Sequence, residues 1–373
     1  MESTSKRILI AVTGLSPQVL TETVYSLAIA PQPWIPTDIK LITTTQGARR
    51  AHLSLLSEDP GWFHRLLHDY KLPAIPFAED DILVLPDING RPLEDIRTPE
   101  DNDCAADFIT ETLRKLTADP DSSVHVSIAG GRKTMGYYLG YALSLFGRPQ
   151  DRLSHVLVSD PFESIWEFFY PTPYSRTIET RKGDLADTAA AEVTLAEIPF
   201  LRLRDDLPDR VLKGPNGFTR TVAAAQWALS PPKLEIDLVK RCIRAGGQTV
   251  HMSPALLAFY SLLARRAIDD LGGVRWDSNG IEEALRNEYS LILDPTASNE
   301  WRADEYQGLS MLDEHFNQRK SKINRKLSEA LGGKCADPYL IHTEGQRSDK
   351  RSVLRLEPDA INYGPLEGEN PNT

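Results

Sequence analysis

The strongest constraint on how this chain folds is an alternation that runs through its first half. Arg7-Ile-Leu-Ile-Ala-Val-Thr13 is a continuous apolar run, the pattern of a strand buried on both faces of a parallel sheet. Residues 14–17 break it, and 18–30 follow with Val19, Leu20, Val24 and Leu27 at helical spacing. The unit then recurs. Strands are predicted over 38–43, 82–85, 123–129 and 152–158, with helices over 46–56, 62–70, 103–116 and 133–146. Repetition of this kind predicts a doubly wound, parallel α/β sheet. Such sheets bind their ligands outside the carboxyl ends of the strands.

After Tyr170 the alternation weakens. Residues 171–191 read as a long loop, and 192–203 are apolar enough to return to the first domain. Residues 206–233 carry Gly214, Pro215, Gly217, Pro231 and Pro232 and read as a linker. Beyond it, Ser253-Pro254 has the form of an N-cap with proline at the first helical position, opening a helix to about residue 271. A second helix is expected over 279–292 and a third, rich in Arg and Lys, over 312–331, ended by Gly332-Gly333. Residues 339–342 and 352–356 flank a charged loop at 345–351. Helix, helix, basic helix and hairpin is the order of a winged helix. The expected division is therefore 1–205, a Rossmann-like domain; 206–233, a linker; 234–364, a mainly helical, winged-helix-like domain; and 365–373, a disordered tail.

Composition narrows the function. At 373 residues and 41% hydrophobic the chain holds core material for more than one domain. A net charge of −11 argues against a protein coated in nucleic acid, but not against a small cationic pocket or one basic domain. The charge is uneven: residues 79–111 hold eleven acidic groups against Arg91 and Arg97, whereas 319–355 hold ten basic groups against four acidic ones. Cys104, Cys242 and Cys335 have no paired spacing, which excludes a disulfide scaffold or zinc cluster and fits a reducing cytoplasm. The longest apolar runs fall far short of the ~20 residues a membrane span needs. Residues 1–7 are polar and lead straight into a strand, so neither a signal peptide nor a membrane partner is expected.

Two stretches lie where such a sheet holds its ligands. In Thr13-Gly-Leu-Ser-Pro-Gln18, after the first strand, Gly14 lets backbone approach an anion, and Ser16-Pro17 is well formed to start a helix whose free N–H groups favour negative charge. The plain alternative for Ser16 is an N-cap. In Ala129-Gly-Gly-Arg-Lys-Thr134, after the fourth strand, Gly130 and Gly131 expose amides while Arg132 and Lys133 supply cations. A helix start is the wrong end of the dipole for cations, which favours a role in binding over one in helix stability. Together they describe a phosphate-ester site. Neither a P-loop nor Gly-x-Gly-x-x-Gly is present, so no nucleotide cofactor is expected. His64 and His68 could share a metal but have no third ligand in view, so a solvated helix face is the better reading and no metal is expected. Arg244 and His251 match the spacing of a HEPN ribonuclease but straddle Gly246-Gly247 rather than sitting on one helix.

At these two stretches the sequence resembles the CARF (CRISPR-associated Rossmann fold) ring nucleases of type III CRISPR defence. The likeness extends through Val158-Ser-Asp-Pro161, Phe169-Tyr-Pro-Thr172, Glu197-Ile-Pro-Phe-Leu-Arg-Leu203 and 256–264 into the hairpin. Many such proteins are Csm-type, but no HEPN ribonuclease domain is recognisable here. The resemblance implies a homodimer that binds cyclic tetra-adenylate across its two-fold axis and cleaves it without metal. Ser16 would position the attacking ribose 2′-hydroxyl. Lys133 would stabilise the phosphorane, with Arg132 or the amides of Gly130 and Gly131 assisting. Thr13, Gly14, Leu15, Gln18, Thr45, Gln46 and Thr134 would complete the ligand site, with 43–46 lining the adenine or ribose pocket. Products would be linear diadenylates ending in 2′,3′-cyclic phosphate. The alternative is a ligand-sensing regulator that binds DNA through its winged helix, with Arg319, Lys320, Lys322, Arg325 and Lys350 on phosphates.

Overall fold

The computed structural model describes residues 6–163, 165–207, 209–214, 217–293, 313–346 and 349–365. The chain divides into two compact units, Met1–Asp205 with Leu212–Val222 and Asp206–Val211 with Ala223–Thr373.

The first unit is built on a six-stranded sheet. Its strands are β1 (Arg7–Val12), β2 (Asp38–Thr43), β3 (Ile82–Val84), β4 (Ser123–Ser127), β5 (Arg152–Val158) and, after the short hairpin β6 (Thr177–Glu179) and β7 (Leu185–Asp187), β8 (Val193–Glu197). The order is β3-β2-β1-β4-β5-β8, parallel except for the edge pair of β5 with β8. Strand order reverses between β1 and β4, where the carboxyl ends part to leave a crevice. The pleat of β1 serves two cores. Leu9 and Ala11 pack with Leu20 and Val24 of α1 (Gln18–Ile29) and with Phe63 and Leu66 of α3 (Trp62–Asp69). Ile8, Ile10 and Val12, also buried, point to the opposite face.

Between them come α2 (Thr45–Ala51), α4 (Pro99–Leu116) and α5 (Lys133–Phe146). α4 starts earlier than the apolar spacing suggested, because Thr98 and Asp101 form a capping box and Pro99 occupies the first turn. At the amino ends of the strands a buried ion pair is purely structural: Asp151 accepts from the Val124 N–H at 2.8 Å and binds Arg148 at 2.8 Å.

The stretch expected as a linker is instead helical, with α6 at Asp209–Lys213 and α7 at Gly217–Leu229. Gly214, Pro215 and Gly217 stand at the start of α7 and Pro231 and Pro232 after its end, which leaves its alanine-rich interior free to coil.

The second unit holds the three expected helices, α8 (Pro254–Ile268), α9 (Ile281–Ile292) and α10 (Asp313–Leu331), and a hairpin of β12 (His342–Glu344) and β13 (Arg351–Val353). Val274, between α8 and α9, makes a single antiparallel bridge to Ser352 at the edge of this hairpin, the place where a winged helix has its third strand. Their shared core includes Phe259, Leu263, Leu285, Tyr289, Ile323 and Leu327. A further sheet precedes them: β9 (Leu234–Asp237), β10 (Cys242–Ala245) and β11 (Gln248–His251) form an antiparallel meander, and β14 (Ile361–Tyr363) joins β9 in parallel. Arg244 and His251 therefore sit on adjacent strands, and Arg244 binds Glu235 at 3.3 Å. Of the expected tail, residues 366–373 lie outside the described residues, as do 347–348 of the wing loop. No described helix is long and apolar enough to cross a membrane.

Candidate functional site

The turn after β1 and the turn after β4 touch at the crevice. A Cβ added to Gly14 would lie 3.6 Å from the Cα of Gly131. One added to Gly130 would lie 2.8 Å from the Val12 carbonyl oxygen and 2.9 Å from Val19 Cγ2, so only glycine fits there. Gly131 has φ +80°, a conformation that L side chains resist. The two glycines are needed to bring the loops together and turn α5 toward the crevice.

Ser16 is exposed and does not cap α1. The residue before that helix is Pro17, and no side-chain cap closes its start. Among the described residues the Ser16 hydroxyl makes no hydrogen bond, which removes the commonest structural reason for serine at this position. The backbone carbonyl of Ser16 instead accepts from Thr13 Oγ1 at 2.8 Å, fixing the turn. Thr13 is fully buried and also donates its N–H to Ile42 at 3.0 Å. Thr13, expected at the ligand, thus holds the turn from within the fold, with its side chain closed off from solvent.

The two cations of the second turn separate in role. Arg132 donates from Nε to Asp95 at 3.0 Å and from Nη2 to the same carboxylate. These bonds hold the Asp95 carboxyl below its usual range. Lys133 opens α5, is exposed, and makes no ion pair among the described residues. α5 likewise has no side-chain cap, so the N–H groups of its first turn, Lys133 and Thr134 included, remain open to an anion.

A cavity of about 380 Å³ opens beside the first turn, walled by Ser16, Gln18, Glu22, Gly130, His155 and Trp166. A second, of about 660 Å³, is more apolar, with Leu15, Gln46, Leu53 and Trp62 on its walls. Trp62 there stacks on Phe169 at 5.1 Å, with the Arg176 guanidinium 4.3 Å from its ring centre. Leu15, Gln18, Arg50 and Trp166 line both.

Of the segment 43–46, Gln46 lines the larger of these two cavities. Thr43 is fully buried, Thr44 caps α2 by accepting from the Gly47 N–H, and Thr45 donates its hydroxyl to Leu93. Gly47 was not anticipated: a Cβ there would overlap Thr43 Oγ1 and press 2.7 Å from the Gly14 oxygen. Glu22, Arg50, Asp95, His155, Glu163 and Trp166 were missed as well. Glu22 had a signal in sequence, an acidic residue one turn beyond Gln18 on a helix whose other residues are all uncharged. His64 and His68 are exposed on α3, and no cluster of three metal-ligating side chains occurs among the described residues.

The family model for CRISPR-associated protein NE0113 matches residues 16–231, more than half of the chain. No curated protein matches. Among solved structures, Enterococcus italicus Csm6 bound to cyclic hexa-2′-fluoro-hexa-dAMP overlays with a TM-score of 0.28 at 12% identity. That overlay covers 87% of this chain and spans 66% of the length of the Csm6 chain.

Proposed function

This chain belongs to the CRISPR-associated NE0113 family, and from that premise we propose that it is a ring nuclease. It binds a cyclic oligoadenylate, most simply the tetra-adenylate, and cuts it to switch off a type III CRISPR signal. The observation that carries this reading is a hydroxyl and a cation on two touching turns, Ser16 and Lys133, neither of which has a side-chain partner among the described residues. Binding alone does not call for both.

In the proposed reaction the 2′-oxygen of one adenylate attacks the adjacent phosphorus and the bond to the 5′-oxygen breaks. The proton lost at the 2′-position is regained by the leaving 5′-oxygen, and a 2′,3′-cyclic phosphate remains. Such an internal nucleophile needs alignment and charge stabilisation above all. Ser16 orients the 2′-hydroxyl, while Lys133 and the open amides of α5 stabilise the phosphorane. No cofactor or metal enters these steps. A ring of four has two-fold symmetry, which a homodimer reads with the same surface twice.

Incubation of the protein with labelled tri-, tetra- and hexa-adenylate rings in EDTA tests the reading. Linear products with 2′,3′-cyclic phosphate ends, chiefly from the tetramer, are expected; rings that stay intact under excess protein overturn it.

A DNA-sensing regulator is the second reading, favoured by the winged-helix arrangement and by exposed Lys322, Arg325, Lys326 and Lys350. Two of its expected phosphate contacts fall away. Arg319 is 6% exposed, and Lys320 donates to Thr343. A mobility shift on promoter DNA that responds to the ring and disappears in Arg325→Ala is the result this reading requires.

A further inference from the structure

Gln18 and Glu22 lie one turn apart on α1 and so share a face. That face forms part of the wall of the 380 Å³ cavity. Glu22 is only 8% exposed, yet among the described residues it makes no hydrogen bond and no ion pair. A buried ionised carboxylate without a partner is costly, and the group responds by keeping its proton. Burial, reinforced by the charge of Glu163, raises its pKa to about 8. One turn earlier, the Gln18 amide donates to the Trp166 carbonyl at 2.8 Å, and its own Oε1 has no partner. The remaining titratable or charged groups facing this cavity are Glu163, His155 and Arg50.

Resting on the ring-nuclease reading, we infer that this cavity is a base pocket in which the Glu22 carboxyl reads the amine edge of an adenine. A neutral carboxyl presents a donor and an acceptor side by side. Adenine presents the complement on its N7 edge, where the N6 amine lies beside the N7 acceptor, so two parallel bonds close between them; on that edge hypoxanthine has only acceptors. Hypoxanthine carries an oxygen where adenine carries the amine, and would set acceptor against acceptor in a buried site. Rejection of that kind is strong, because the mismatch leaves buried groups unpaired. Glu22 in this role selects the base; it does not touch the reacting phosphate.

The test uses the full chain with two uncleavable probes, 2′-fluoro cyclic tetra-adenylate and 2′-fluoro cyclic tetra-inosinate, titrated between pH 7 and 9. The wild type is expected to prefer the adenine ring at least tenfold at pH 7. Its affinity should fall about tenfold by pH 9, as the protonated fraction of a group near pKa 8 does. Glu22→Gln keeps the donor and acceptor but has no proton to lose. It should bind the adenine ring within about threefold of wild type and show a flat profile, which assigns the titration to Glu22 and not to His155. Glu22→Leu should erase the preference between rings. Equal affinity for the two rings, or the same pH profile in Glu22→Gln as in wild type, overturns the pocket and leaves the nuclease reading standing. Failure to bind either ring overturns both.

Discussion

Helices α1 and α10 treat polar residues in opposite ways. α10 buries Phe316, Ile323, Leu327 and Leu331 in one stripe, with Arg319 buried beside them, and turns Lys322, Arg325, Lys326 and Glu329 to solvent. α1 buries Gln18, Thr21, Glu22, Thr23 and Ser26 beside Leu20, Val24 and Leu27. Nearly all of that polar burial is satisfied. Thr21 donates to Phe169 and Gln18 carbonyls, Thr23 to that of Val19, and Thr23 also meets Ser127 at 3.2 Å. Among the described residues the exceptions are the Glu22 carboxyl and the Gln18 Oε1. The apolar stripe of α10 serves stability, whereas α1 departs from the hydrophobic rule and leaves polar groups without partners among the described residues, the departure on which the proposed base pocket rests.

The sharpest way to break this comparison is at the turn that α1 faces. Lys133→Ala should slow single-turnover cleavage of cyclic tetra-adenylate by on the order of 10²–10³-fold, the usual loss of one preorganised charge-stabilising donor. Binding measured in parallel should hold within about tenfold; a cleavage loss below tenfold would detach Lys133 from the chemistry. On α10 the large effect is on folding instead. Leu327→Ala removes a fully buried side chain and should destabilise the protein by about 3 kcal/mol in urea titration, with cleavage per folded molecule unchanged.

Smaller effects sharpen the contrast. Glu22 holds its proton more tightly when folded than its ordinary 4.5, up to about 8, so the folded state binds the extra proton between those values. Stability should therefore be greatest below pH 4.5 with respect to this group and decline as pH rises toward 8. The slope is up to about 1.4 kcal/mol per pH unit, and it levels off above that. Melting temperatures from pH 5 to 8 should show that slope in the wild type and lose it in Glu22→Gln. Lys322→Ala, on the solvent face of α10, should shift stability by less than about 0.5 kcal/mol.

The first sheet was legible because its strands announce themselves. Runs such as Ile8–Val12 have no polar interruption, and α5 runs between Lys133 and Phe146 as its spacing suggests. The small sheet of the second unit was harder to read. β9, β10 and β11 are four residues each and mix charge with apolar groups, although Gly246-Gly247 between two of them is a hairpin signal in its own right. Within the site, Ser16, Gly130, Gly131 and Lys133 could be read because they directly follow strands. Arg50, Asp95 and His155 could not, since they come from α2, the segment after β3, and β5, and only tertiary folding brings them to the crevice. The pairing of Arg132 with Asp95 could not be read either, because the two lie 37 residues apart.

The segment that follows β3 carries its own consequence. β3 is the edge strand, and β4 lies three places away. Leu93 accepts from both the N–H and the hydroxyl of Thr45, and two residues on Asp95 grips Arg132 at the start of α5. The segment thus ties the start of α2 to the start of α5, across the point where the strand order reverses, through one backbone carbonyl and one carboxylate. Asp95 engages only the Nε and Nη2 side of the Arg132 guanidinium, so it sets the direction in which that cation stands at the head of α5 without using all of its donors.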